Sequence, residues 1–210
     1  VTSVSASLDS IYSSSQISGD DRQVVYNFIL SRLPQAGEPL SSAATHHFEN
    51  PGKMLRARMV MRGAYLLNVD HNAAIRWAAA IELLHNASLV HDDICDGDKL
   101  RRGQQAVWAK FGRHVALTLG DWLIALSFEL ASEAAQIAKT PKLVTLLARH
   151  MSTTTAGEAM EFEFDRKNDW DTYLQIAADK TAPLLTAPLQ GVAVMALDAR
   201  AEMVVASYFR

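Results

Sequence analysis

Cysteine is almost missing from this chain of 210 residues: Cys95 is alone. No disulfide can form within the chain, and a single thiol fits a reducing compartment, so a cytoplasmic location is the expectation. Glycine (10) and proline (6) are both scarce, so few breaks interrupt the backbone. A basic excess is also lacking. Lys plus Arg is 20 against 23 for Asp plus Glu, a formal net charge of −3, which argues against nucleic acid as a partner. No stretch approaches the ~20 apolar residues of a membrane helix. Even the Ala-rich run 73–84, AAIRWAAAIELL, carries Arg76 and Glu82. No signal-peptide pattern is visible. The first residue is Val1, not Met, which suggests a trimmed or partial version of something longer.

What remains is a globular composition, 49% hydrophobic and 20% charged, large enough for one domain with a real core. Apolar residues recur at three and four positions and alternation is rare, which is a helical signature. The pattern predicts helices near 20–33, 51–67, 71–96, 114–138, 141–165, 169–191 and 198–210. Asn50-Pro51 and Thr140-Pro141 each place a capping side chain before a proline suited to a first helical turn. Pro183 and Pro188 fall inside a helical stretch and predict a kink. Residues 1–19, with eight Ser, read as loosely held. Residues 20–210 read as a single all-α domain.

The most informative segment is 82–103, ELLHNASLVHDDICDGDKLRRG. On a helix, Asp92 and Asp96 each fall within roughly 20° of His85, on opposite sides of it. Asp93 lies a step round. Two carboxylates on one face repel and gain nothing from a core. A divalent cation resolves that conflict, and hard oxygen ligands without sulfur suit Mg²⁺. Lys99, Arg101 and Arg102 follow at once. Carboxylates that hold a metal, next to guanidinium groups that clamp phosphate oxygens, make a diphosphate site. Lys53 and Arg56 lie three apart near an expected helix N-terminus, where backbone amides favour anions. Lys180-Thr181 pairs an ammonium with a hydroxyl just before the prolines, an arrangement suited to phosphate or to developing negative charge.

From residue 50 onward the chain resembles the trans-isoprenyl diphosphate synthases, or polyprenyl synthetases. PGKMLRARM looks like the family's G-G-K-x-x-R-P segment, with Pro51 and Ala57 departing from it. Residues 82–103 resemble its first aspartate-rich region. Gly120-Asp121 is similar to its G-D-x-L-L segment, GEAMEF at 157–162 to G-Q/E-x-x-D/Q-L, and KTAPLL at 180–185 to K-T-A-x-L. The resemblance implies an isoprenoid synthase-type helical bundle around a central cavity. It also implies a homodimer, or a hetero-oligomer, that condenses an allylic diphosphate with isopentenyl diphosphate. By resemblance, Asp92, Asp93 and Asp96 bind Mg²⁺. Arg101 and Lys180 hold the allylic diphosphate, with Thr181 and Glu158 lining its site. Lys53, Arg56, His85 and Arg102 bind isopentenyl diphosphate. The residues just before the aspartates, Ala87 and Ser88, are small. By the family's logic this implies a product longer than C15, such as geranylgeranyl diphosphate, with Trp122, Met151 or Met160 as a candidate floor.

The family's second aspartate-rich motif has no counterpart here. After Lys180 the only acidic residues are Asp198 and Glu202, so the domain is expected to be C-terminally incomplete and to transfer little on its own. Three other readings remain. A non-catalytic subunit of a complete synthase would keep the fold. A terpene cyclase shares D-D-x-x-D but has no use for a second diphosphate site. A di-metal carboxylate oxidase would use Glu82-x-x-His85 but needs a second E-x-x-H, which is absent.

Overall fold

The computed structural model describes residues 17–163, 170–197 and 199–208. Most of the segment expected to be loosely held lies outside these residues, and so does Asp198. In chain order the helices are α1 (Ile17–Arg32), α2 (Ser41–Phe48), α3 (Leu55–Leu66), α4 (His71–Asp96), α5 (Val107–Phe111), α6 (Arg113–Ile137), α7 (Lys142–Phe162), α8 (Trp170–Met195) and α9 (Ala199–Tyr208). A two-stranded hairpin, β1 (Leu100–Arg101) and β2 (Gln104–Gln105), follows α4. The architecture is the all-α bundle expected.

Helix α4 is the axis of the molecule. It packs most extensively on α6, and also on α3, α1 and α8, while α7 lies along α8. Its start is capped by the Asp70 side chain, which accepts from the Ala73 amide at 2.9 Å. It stops at Gly97, whose φ of 73° ends the helix in the left-handed region. Between these ends its surface carries Ala73, Ala74, Ala78, Ala79 and Ala80, all buried. Small side chains let neighbouring helices come close. Trp77 fills the remaining volume and donates its indole N–H to the Pro188 carbonyl at 3.2 Å.

Four expectations change. Helix α2 and helix α5 are additional, the first preceded by Leu40 in a left-handed conformation with no side-chain cap. Helix α3 begins at Leu55, not Pro51, because Gly52 and Met54 both have positive φ (69° and 45°) and break the first turn. The segment after Gly97 forms the hairpin, with Leu100 opposite Gln105 and Arg101 opposite Gln104. Its turn residues Arg102 and Gly103 both have positive φ, as a tight two-residue hairpin turn requires. Finally, α6 is the one described helix long and apolar enough to cross a membrane, although no such stretch was expected. Its Leu119, Leu123 and Leu130 are fully buried, so it reads as an inner helix of the bundle.

Helix α8 runs unbroken through both prolines. Pro188 has no N–H to give to the Leu184 carbonyl one turn back. That freed carbonyl accepts from Arg56 Nε at 2.9 Å, so the missing helix bond becomes an anchor for a basic side chain.

Candidate active site

A cavity of about 430 Å³ lies between α3, α4, α6, α7 and α8. Helix α4 lines it with Leu84, His85, Ala87, Ser88, Leu89, His91 and Asp92. Its other walls hold Arg56 (α3), Ile124 (α6), Met151, Thr154, Thr155 and Glu158 (α7), and Lys180, Thr181 and Leu184 (α8). His85 and Asp92 thus share one cavity face, as their spacing required. They sit about 10 Å apart along the helix axis.

The Asp92 end is acidic. Burial raises the Asp92 pKa to about 6, and the charges of Glu158 and Asp96 push the same way. Lys180 and Arg101 oppose the shift without cancelling it. Glu158 accepts from Lys180 Nζ through one oxygen at 2.7 Å. Its other oxygen, Oε1, is buried with no hydrogen-bond partner, and so is Thr154 Oγ1 one turn earlier. Lys180 also pairs with Glu161. Partial burial pulls the Lys180 pKa down, but the two carboxylates overcome it and hold the group above its usual value. Gly157 makes this cluster possible. A Cβ there would lie 2.6 Å from the Lys180 backbone nitrogen and 2.8 Å from the Asp179 carbonyl carbon. Only glycine lets α7 and α8 approach so closely, and that approach brings Glu158 and Glu161 within reach of Lys180.

The His85 end is basic, and its polar groups already have protein partners. Arg102 donates to the Asn50 carbonyl at 2.7 Å, and the Asn50 amide donates back to the Arg102 carbonyl at 3.1 Å. Glu82 is buried and accepts from the Ala57 backbone N–H at 2.9 Å. Its carboxylate caps α3 from a different helix. Burial raises the Glu82 pKa, while the Ala57 and Arg56 amides and the Arg56 and Arg102 charges hold it down. Burial lowers the His85 pKa to about 3, helped by Arg56 and Arg102, so its imidazole is neutral at neutral pH. His47 behind it is lowered to about 4, also by burial first, and its Nε2 pairs with Asn86 Oδ1 at 3.0 Å.

Several expected roles shift. Asp93 does not face the cavity. It is buried and bonded to Arg101 through Nε at 2.8 Å and through a second guanidinium nitrogen. Its carboxylate is therefore committed to setting the hairpin arginine, not free beside a metal. Asp96 is exposed one turn beyond the cavity and reaches Asp92 only through its charge. Lys53 is exposed outside the lining. The α3 N-terminus is not an open anion site, because Glu82 already occupies it. Glu82 of the E-x-x-H spacing is thus bonded to backbone. Trp122 lies outside the lining and packs against the core. Two residues on, about 200° round the helix, Ile124 faces in.

Sequence reasoning missed Glu161, His47, Asn86, Thr154 and His91. The last had a signal in Gly120. The His91 ring occupies the space a Cβ at Gly120 would need, with Asp121 Oδ1 3.8 Å from Nε2. The Gly-Asp pair on α6 is the seat of a cavity-lining histidine.

A helical bundle around a cavity with acidic and basic ends is an isoprenoid synthase-type architecture. Residues 38–209 match the model of the polyprenyl synthetase family, and the chain belongs to that family. It is 34% identical over 167 residues to a geranylgeranyl diphosphate synthase of Saccharolobus solfataricus, covering 77% of this chain and 49% of that one. The solved geranylgeranyl pyrophosphate synthetase of the archaeon Geoglobus acetivorans superposes with a TM-score of 0.81 at 34% identity, over 91% of this chain and 64% of that one. A polyprenyl synthase from Caulobacter crescentus, solved with calcium and isoprenyl diphosphate, gives 0.84 at 30% identity, over 92% of this chain and 59% of that one. The chain spans about half the length of the curated relative it matches.

Proposed function

We propose that this chain carries the substrate-ionising half of a Mg²⁺-dependent head-to-tail prenyltransferase. The enzyme would condense an allylic diphosphate with isopentenyl diphosphate to a product longer than C15. One observation carries the reading. Asp92 and the unpartnered Glu158 oxygen crowd negative charge beside Lys180 at one end of a largely apolar cavity.

The donors fit the metal. Asp92, Asp96 and Glu158 offer only hard oxygens, and their uncompensated charge calls for a cation. Among the described residues, no three His, Cys, Asp or Glu side chains converge on one point. Phosphate oxygens and water would complete the shell. The bound ion would neutralise the diphosphate as a leaving group.

The chain's own residues do the rest. Lys180 and Arg101 orient the allylic diphosphate, Arg101 being held in place by Asp93. Breaking the allylic C–O bond puts both bonding electrons on the diphosphate and leaves a delocalised cation. Leu84, Leu89, Ile124 and Leu184 keep water from that cation. Arg56, Arg102 and neutral His85 hold isopentenyl diphosphate, whose double bond attacks the cation before the released diphosphate takes up the departing proton. Small Ala87 and Ser88 in the lining leave room for the growing chain.

Calorimetry with an allylic diphosphate, with and without Mg²⁺, tests the assignment. Binding should require Mg²⁺ in the unaltered chain, and Asp92→Asn should remove that requirement together with most of the affinity. Diphosphate affinity and Mg²⁺ dependence that survive the substitution would show the site to be elsewhere.

A further inference from the structure

Lys180 already spends two of its three N–H donors on carboxylates. Its ammonium pairs with Glu158 at 2.7 Å and with Glu161. A diphosphate held there, as proposed above, would stand beside two carboxylates of like charge, so its binding favours the departure of one. The two are not equivalent. The Glu158 side chain is 19% exposed and lines the cavity. The Glu161 side chain is 50% exposed and lies outside the lining, at the end of α7. A half-exposed carboxylate that lets go of its partner regains water at little cost. One mostly out of water regains less. Glu158 also has Oε1 unpartnered, so releasing Lys180 would leave both its oxygens uncompensated. The backbone contact at Gly157 fixes the base of the cluster, so adjustment falls to the side-chain ends.

We propose that Glu161 is a displaceable placeholder for the diphosphate. It holds the Lys180 ammonium extended and charged at the cavity, and it swings into solvent when phosphate oxygens take its place. Glu161 is a positioning residue that acts through Lys180. Because its contact is lost on binding, it subtracts from diphosphate affinity.

Inorganic pyrophosphate is the probe, titrated calorimetrically in the presence of Mg²⁺ into the unaltered chain, Glu161→Gln, Glu161→Asp and Lys180→Met. Glu161→Gln should bind roughly fivefold more tightly, the scale set by losing one partly exposed competing ion pair. Glu161→Asp should return most of the affinity to the unaltered value, and Lys180→Met should lose it. Circular dichroism should be unchanged throughout, since the altered side chain is half in water. A residue that only supported the fold would weaken binding when changed. Lys180-dependent binding with Glu161→Gln unchanged or weaker overturns this inference alone. Pyrophosphate binding indifferent to Lys180, or no binding at all, overturns both it and the reading of Lys180 on which it rests.

Discussion

The two ends of the cavity face on α4 handle charge in opposite ways. Around His85, charged groups are met by fixed protein partners: Arg56 by the Leu184 carbonyl, Arg102 by Asn50, and Glu82 by the Ala57 amide. Around Asp92, carboxylates outnumber their partners, and one Glu158 oxygen has none. Backbone acceptors can make a basic site rigid before any ligand arrives. An acidic site built for a cation keeps a strain that only a ligand relieves. The first end should therefore break when it is altered, and the second should become more stable.

Glu82→Ala gives the largest effect. It uncaps α3 and strips Arg56 and Arg102 of a buried counter-charge, so urea unfolding should show a loss of about 3 kcal/mol. A loss under ~1 kcal/mol would mean that the cap is decorative.

Asp92→Asn should act in the other direction. Its folded pKa lies above the ordinary 3.8, so folding favours the protonated acid, and that advantage fades as pH rises through about 6. Discounted for partial exposure, relief of about 1 kcal/mol should raise Tm at neutral pH by roughly 2–4 °C. The difference from the unaltered chain should close below pH ~4, where both are neutral. The histidines carry the opposite sign. His47 and His85 are lowered from 6.5 to about 4 and about 3. The unfolded chain therefore binds more protons between these values, and their contribution to stability falls as pH drops below 6.5. A Tm–pH profile for Asp92→Asn steeper on the acid side than that of the unaltered chain would display the two ends separately.

Pro188→Ala is the mildest change. It gives α8 back an N–H for the Leu184 carbonyl, in competition with Arg56. Stability should hold or rise, while affinity for isopentenyl diphosphate should fall about threefold. Unchanged affinity would show that Arg56 does not need that anchor.

Much of this was legible in the residues. The long helices followed from their periodicity, and the steps of seven and four put His85 and Asp92 on one cavity face. What escaped detection depended on partners far away in sequence. Glu82-x-x-His85 has metal-ligand spacing, but the α3 amides that take up Glu82 are 25 residues away. Helix α2 is eight residues with no capping side chain, too weak a pattern to stand out. The hairpin turns on Arg102-Gly103, and a left-handed arginine leaves no mark in the sequence. Trp122 was a reasonable floor by size, yet which side of α6 faces inward is set by packing on α4, and Ile124 has that side.

Gly157 gives the cavity a width measured in single atoms. The separation of α7 and α8, and the reach of Glu158 and Glu161 to Lys180, depend on the same missing methyl group. Any side chain at 157 that widened the chamber would also pull the lysine from its carboxylates. Changes in chamber size that leave the charged cluster whole would therefore fall on residues that touch the cavity alone, such as Ala87, Ser88, Ile124 and Met151.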